Sequence, residues 1–145
     1  MDQLADMPRR QATDPRTDAR TVEVESDVTD AVDLGEQCRL RGTVFVPATG
    51  AGPGPRPVLV AVPGGTYTRR YWHLVVPGRA GYSFAEDFAR RGVVVVAFDN
   101  LGTGASTRPS GGDRLTPEVI ARANHAAARD VIDRPRRSHS SMKLS

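Results

Sequence analysis

Two short apolar runs, Val58-Leu59-Val60-Ala61-Val62 and Val93-Val94-Val95-Val96-Ala97-Phe98, stand either side of one amphipathic helical pattern. Of all its features, this one most constrains what the chain can fold into. Continuous runs rich in β-branched residues suit strands covered on both faces, as in parallel sheets. A strand–helix–strand unit of this kind closes as a right-handed parallel crossover. The intervening helix carries its own start and stop. In Ser83-Phe84-Ala85-Glu86 the Ser83 hydroxyl can accept from the Glu86 amide while Glu86 reaches back, a capping box. Phe84 and Phe88 lie four apart on one face, and Gly92 ends the helix.

The flanking segments extend the pattern. Thr21–Ser26 (TVEVES) alternates like a half-buried strand, and so does Arg39–Val46 (RLRGTVFV), with Leu40, Val44 and Phe45 apolar. Pro47–Pro57 is a Gly/Pro linker. Thr116-Pro117-Glu118 opens a second helix, with Thr116 as N-cap and an acid near the positive end of the dipole. Ile120, Ala123, Ala127 and Val131 give it an apolar stripe, and Pro135 predicts its end. The order is strand, strand, strand, helix, strand, helix, the opening of an α/β sheet. Residues 1–20 have no periodicity and read as a disordered lead-in; 21–134 form the domain; 135–145 read as a disordered basic tail.

Length and charge narrow the function. The chain has 145 residues, enough for one modest domain. The single Cys38 excludes an internal disulfide framework. No apolar run stands near the N-terminus, so neither a signal peptide nor a membrane span is expected, and the expected location is cytoplasmic. The net charge is +3, but residues 134–145 hold Arg134, Arg136, Arg137 and Lys143 and no acid. Residues 1–133 are left with a net charge of −1. The basicity belongs to the tail and makes no nucleic-acid footprint on the domain.

The second apolar run ends on Asp99 and a glycine-rich turn, Asp99-Asn100-Leu101-Gly102-Thr103-Gly104-Ala105-Ser106. A dinucleotide fingerprint fails here. Thr107 stands where a third small residue is needed, and loop rather than helix follows. No Gly-Lys-Ser/Thr follows a glycine loop, so a P-loop is absent. A nucleophile elbow, G-x-S-x-G, fits no better. Ser106 is followed two residues on by Arg108. Ser83, in Gly81-Tyr82-Ser83-Phe84-Ala85, is closer to the pattern, but no strand feeds it and its hydroxyl serves as a cap.

The whole segment, D-x-x-G-x-G-x-S, resembles the turn after the fourth strand of α/β-hydrolase-fold proteins. Val58–Val62 with Pro63-Gly64-Gly65-Thr66 is similar to their third strand and its HGG or HG-x-P turn. Tyr71-Trp72 lies where that family often has an aromatic residue, and Ala85–Gly92 resembles its first helix. Arg39–Pro47 looks like the second strand of esterase-like members. The resemblance covers Thr21–Asp133 and implies the N-terminal half of an α/β-hydrolase sheet, mixed, with a parallel third/fourth-strand crossover. The family cleaves ester and related acyl bonds with a Ser, Asp/Glu, His triad in that chain order. Carried over, the backbone N–H of Gly65 or Thr66 is the oxyanion-hole donor. Gly64, Asp99, Gly102, Gly104 and Ser106 are then structural turn residues, with Asp99 and Ser106 bonding turn amides. The sequence departs from the family at Pro63, where a His is usual.

The nucleophile would follow the helix ending near Arg134, where the chain reads RPRRSHSSMKLS. His73, His125 and His139 do not recommend themselves as triad members, no spacing recommends a metal site, and no cofactor is expected. Two function classes stand. One is the front portion of a serine hydrolase, inactive alone. The other is a non-catalytic binding module. A minimal hydrolase using Ser83 is a third. The expected partners are a complementary C-terminal half, or a second copy through the third strand's edge, with no nucleic acid and no membrane.

Overall fold

The computed structural model describes residues 19–48 and 55–137. Its elements are β1 (Ala19–Asp27), α1 (Thr29–Val32), β2 (Arg39–Pro47), β3 (Val58–Ala61), a 3-10 turn (Arg69–Trp72), α2 (Phe84–Arg90), β4 (Val94–Phe98), a second 3-10 turn (Gly112–Arg114) and α3 (Pro117–Arg137). The four strands make one mixed sheet in the order β1-β2-β4-β3. β2 is antiparallel to β1 and β4, with Val44 opposite Val22 on one side and Val96 on the other. β3 runs parallel to β4, from Val58 opposite Val94 to Ala61 opposite Ala97. The chain is therefore a mixed α/β fold built on a parallel β3/β4 crossover.

Side chains alternate between the faces of a strand, so each central strand feeds two cores. On one face Leu40, Val44, Val96 and Phe98 pack with Val32 of α1 and with Val119, Ala123, Ala127 and Val131 of α3. On the other, Phe45, Val95 and Ala97 meet Ala85 and Ala89 of α2, with Trp72 and Phe88 alongside. The alanines let both helices approach closely. Gly42 serves the same purpose inside β2. A Cβ there would lie 2.5 Å from the Phe98 ring and 2.9 Å from the Ala97 carbonyl oxygen.

Several boundaries differ from the sequence expectation. β1 begins at Ala19 and so takes in the last two residues of the expected lead-in; the rest of that lead-in lies outside the described residues, as does 138–145 of the expected tail. α1 has no counterpart in the sequence reading. It is a single turn closed by Asp33, which adopts the left-handed conformation (φ 50°) and donates its N–H to Thr29 C=O. In α3, Thr116 Oγ1 accepts from Val119 N–H (3.2 Å). The buried stripe starts at Val119 instead of Ile120, because positions 119, 123, 127 and 131 hold a strict four-residue spacing.

α3 continues through Pro135 to Arg137, where the sequence predicted an end before Pro135. A proline this near the helix end forgoes one hydrogen bond, to the carbonyl four residues back, without interrupting a long ladder. Among the described residues β3 pairs with β4 alone, at the open edge the sequence reading expected, but its expected burial on both faces is corrected: Val58 and Val62 are 43% and 48% exposed. The run is continuous and apolar, yet among the described residues it forms a sheet edge. No described helix is long and apolar enough to cross a membrane.

Replacing Gly42 with Ala forces the Phe98 ring and the facing backbone apart. The expected cost is about 1–3 kcal/mol in urea unfolding. A change within experimental error would mean that β2 and β4 approach less closely than described.

Candidate functional site

In sheets of this kind ligands sit beyond the carboxyl ends of the parallel strands. Two turns leave those ends here. After β3, Gly64 C=O accepts from Tyr67 N–H (3.0 Å), so Gly65 and Thr66 are the exposed central residues of a β-turn. The Tyr67 ring lies over Gly64, where a Cβ would be 3.1 Å away. After β4 the chain enters the Asp99–Thr107 turn. These two turns hold the residues the sequence picked out.

Asp99 is the hub of the second turn and is 1% exposed. Its Oδ1 accepts from Arg69 N–H (2.7 Å), and its Oδ2 accepts from Ala105 N–H (2.9 Å) and pairs with the Arg69 guanidinium. Arg69 reaches further, to Thr43 Oγ1 through Nε (3.0 Å) and to Glu23 Oε2 through Nη2 (3.2 Å). The carboxylate therefore ties the loop after β3 to the turn after β4, and Arg69 ties both to β1 and β2. Gly104 must be glycine for two reasons: its φ is +50°, and a Cβ would strike the Asp99 carboxylate. Gly102 is likewise at positive φ (+83°), with Leu115 Cδ1 2.8 Å from where a Cβ would stand.

Ser106 Oγ donates to Asp99 C=O (2.6 Å) and accepts from Arg41 N–H (2.9 Å). Its amide partner is thus on β2, whereas the sequence reading placed it in the turn. Asn100 makes the second strap. Its Nδ2 donates to Pro63 C=O (3.3 Å), and its Oδ1 accepts from Asn124 of α3 (2.8 Å). Thr107 closes the turn onto β2, donating its N–H to Arg39 C=O (2.9 Å).

Ser83 is the N-cap of α2, and its Oγ accepts from Glu86 N–H (3.1 Å). The reciprocal arm of the capping box is replaced: the Glu86 carboxylate lies against Arg90 (3.4 Å) and His73 Nδ1 (3.9 Å). The same Nδ1 is 2.7 Å from Ser83 Oγ. Ser83 Oγ thus bonds the Glu86 amide and the His73 ring together, the direction of the second bond following the histidine tautomer. The His73 ring also packs on Phe45, with centroids 5.0 Å apart.

This serine–histidine contact is not a triad. In a triad the acid holds one ring nitrogen and the serine the other; here Ser83 and Glu86 share Nδ1. Ser83 is 5% exposed and follows loop, with only an isolated Val76–Arg79 bridge before it. The contact anchors the start of α2. A cavity of about 210 Å³ opens beside it, lined by Thr43, Phe45, Arg69, Arg70 and His73 among others.

The remaining candidates stand apart. Cys38 is fully buried, and burial pushes its thiol up from its usual range, which suits packing and not nucleophilic attack. His125 is exposed on α3, and His139 lies outside the described residues. Among the described residues no group of three or more His, Cys, Asp and Glu could hold a metal ion. Sequence reasoning missed Arg69, Asn100 and the His73–Ser83 bond. Asn100 adjoins Asp99 in the quoted motif and could have been included. For Arg69 no local signal exists, because its side-chain partners lie 26 to 46 residues away.

The chain is similar to the crystal structure of hypothetical protein PA2218 from Pseudomonas aeruginosa, with a TM-score of 0.52 and 19% identity over 85% of this chain. The match spans 32% of that neighbour's length, and at this identity the likeness shows the fold alone. No family model matches the sequence. No curated protein matches it either.

Removing the guanidinium leaves the buried Asp99 carboxylate with backbone donors only. Arg69→Met should cost about 3 kcal/mol, and pairing it with Asp99→Asn should recover part of that loss in a double-mutant cycle. Strict additivity would contradict the coupling. Ser83→Ala should cost about 1 kcal/mol by thermal or urea unfolding.

Proposed function

We propose that this chain is the N-terminal portion of an α/β-hydrolase-type serine hydrolase acting on ester or related acyl bonds. In this reading it contributes the oxyanion-hole turn and lacks the nucleophile elbow, the acid and the histidine. The observation that carries the proposal is the pair of turns at the carboxyl ends of the parallel strands. An exposed Gly65-Thr66 turn follows β3, and it is held against the Asp99 turn of β4 by Arg69 and Asn100. A hole donor must be aimed before the reaction begins, because its worth lies in meeting charge without reorganising. The straps to Asp99 and Pro63 supply that rigidity. The strand order, with β4 between β2 and β3 and helices on both faces, supports the same reading.

The chemistry divides accordingly. The Gly65 or Thr66 amide would stabilise the oxyanion of a tetrahedral intermediate. The nucleophile would come from a further strand beside β3, supplied by another segment. Ser83 takes no part beyond capping α2, since covalent catalysis needs an activated and reachable hydroxyl. Pro63 in place of the family's usual His leaves the turn braced by Asn100 instead.

Purified alone, this chain should hydrolyse short p-nitrophenyl esters no faster than background and should not label with a fluorophosphonate probe. Turnover that survives purification and disappears in Ser83→Ala would overturn the assignment of Ser83. The positive arm uses whatever G-x-S-x-G coding segment follows this chain's gene in any frame. Co-expressed with the chain, it should restore turnover. Gly65→Pro removes one amide at a turn position that tolerates proline, and it should then lower kcat by about 10²–10³ if Gly65 is the donor. Thr66→Pro tests the other amide. Restored turnover indifferent to both would sink the oxyanion role, and a complex without turnover would leave the binding-module reading.

A further inference from the structure

The turn after β3 is held from α3, by way of two asparagines. Asn100 is 2% exposed and stands between the two. Its Nδ2 donates to Pro63 C=O (3.3 Å), and its Oδ1 accepts from Asn124 Nδ2 (2.8 Å). The order of donors and acceptors along this series is not free. Pro63 C=O can only accept, so Asn100 must turn its NH2 toward it. That leaves the Asn100 oxygen facing α3, and Asn124 must meet it with a donor. A carboxylate at position 124 would set acceptor against acceptor. Asn124 also sits in the interior of α3, among Ala121, Ala123, Ala126, Ala127 and Ala128. Asparagine is a weaker helix former than those alanines, so nothing in the helix itself asks for it.

Holding one carbonyl fixes more than one atom, because a peptide unit is a rigid plane. The plane of Pro63 C=O also carries Gly64 N–H. On the other side of Gly64, its C=O accepts from Tyr67 N–H (3.0 Å), and that plane carries Gly65 N–H. Both planes flanking Gly64 are thereby pinned, at a residue type whose own backbone is the least restrained of any. The next plane, Gly65 C=O with Thr66 N–H, makes no hydrogen bond among the described residues.

We propose that Asn124 is a positioning residue for the turn after β3. It dictates which way the Asn100 amide faces, and through Pro63 it aims the Gly65 N–H rather than the Thr66 N–H. The seating of α3 and the aim of that amide are then one event, joined across three segments by two side chains. The catalytic meaning rests on the hydrolase reading, in which Gly65 becomes the oxyanion donor. The aim itself rests only on the hydrogen bonds.

Asn124→Asp in the full chain tests it by NMR, since it keeps the size of the side chain and takes away its donor. The Asn100 amide should turn over, its NH2 going to the new carboxylate, and Pro63 C=O should lose its bond. Tyr67 N–H should then exchange at least about tenfold faster than in the wild-type chain. Arg69 and Ala105 N–H, which are held by Asp99, should be unchanged. Asn124→Ala removes the donor without the repulsion and favours the helix. It should raise Tyr67 exchange by a smaller factor and leave α3 at least as well protected, and it decides the matter if Asn124→Asp does not fold. Equal Tyr67 exchange in wild type and Asn124→Ala, or a rise shared by Arg69 and Ala105, would overturn the proposal. In a complex with restored turnover, Asn124→Asp should lower kcat by about 10- to 100-fold at unchanged KM. Tyr67 exchange that responds while kcat does not would refute the hydrolase use of the turn and uphold the positioning. No response at Tyr67 would refute the positioning whatever the turnover.

Discussion

One buried carboxylate organises this molecule. Asp99 lies at the end of the most buried strand, and a carboxylate there is tolerated only if its oxygens are fully engaged. Satisfying it draws in the rest. Ala105 must turn its amide back, which requires Gly104 without a Cβ. Arg69 must bring both its amide and its guanidinium across from the loop after β3. With Arg69 fixed, the 3-10 turn Arg69–Trp72 is fixed, and His73 follows it onto Phe45 and Ser83. The start of α2 is thereby tied to the residue that follows β4. Each link is local chemistry, and together they join three segments far apart in sequence.

The layers around that hub are unequal. β2 and β4 are covered on both faces, by α1 and α3 on one side and α2 on the other, and they hold most of the core. Among the described residues β3 has a neighbour on one side only, and its first residue is half exposed. A strand of valines written for burial but left at an edge leaves both apolar area and outward amides without partners. This asymmetry bears directly on the proposed function, which concerns what lies beside β3.

What the sequence made legible was what is written locally. The crossover, the Ser83 cap, the Thr116 cap and the glycines of the Asp99 turn depend on residues within a few positions of one another. What it hid was long-range or compensated. α1 is a four-residue turn whose anchor is Val28 N–H to Cys38 C=O, a bond no periodicity reports. Glu86 was expected to complete the capping box, but Arg90 one turn on offers its carboxylate a charged partner, so it turns away. The Val58–Val62 run read as covered on both faces because composition records how apolar a strand is and not what packs over it, and Val58 and Val62 are half exposed. Arg69 looked like any loop arginine, because its role is defined only once Thr43, Glu23 and Asp99 have converged.

The central claim is that Asp99 welds the two turns into one rigid unit while the β3 edge beside them stays open. Residue-resolved amide hydrogen exchange by NMR, on dilute protein, tests both parts in one measurement. The amides of Arg69 and Ala105, though in loops, should exchange as slowly as those of the β4 core, whereas Val58 and Val60, though in a strand, should exchange nearly as fast as free peptide. Fast exchange at Arg69 and Ala105, or strong protection at Val58 and Val60 in the monomer, would contradict the account.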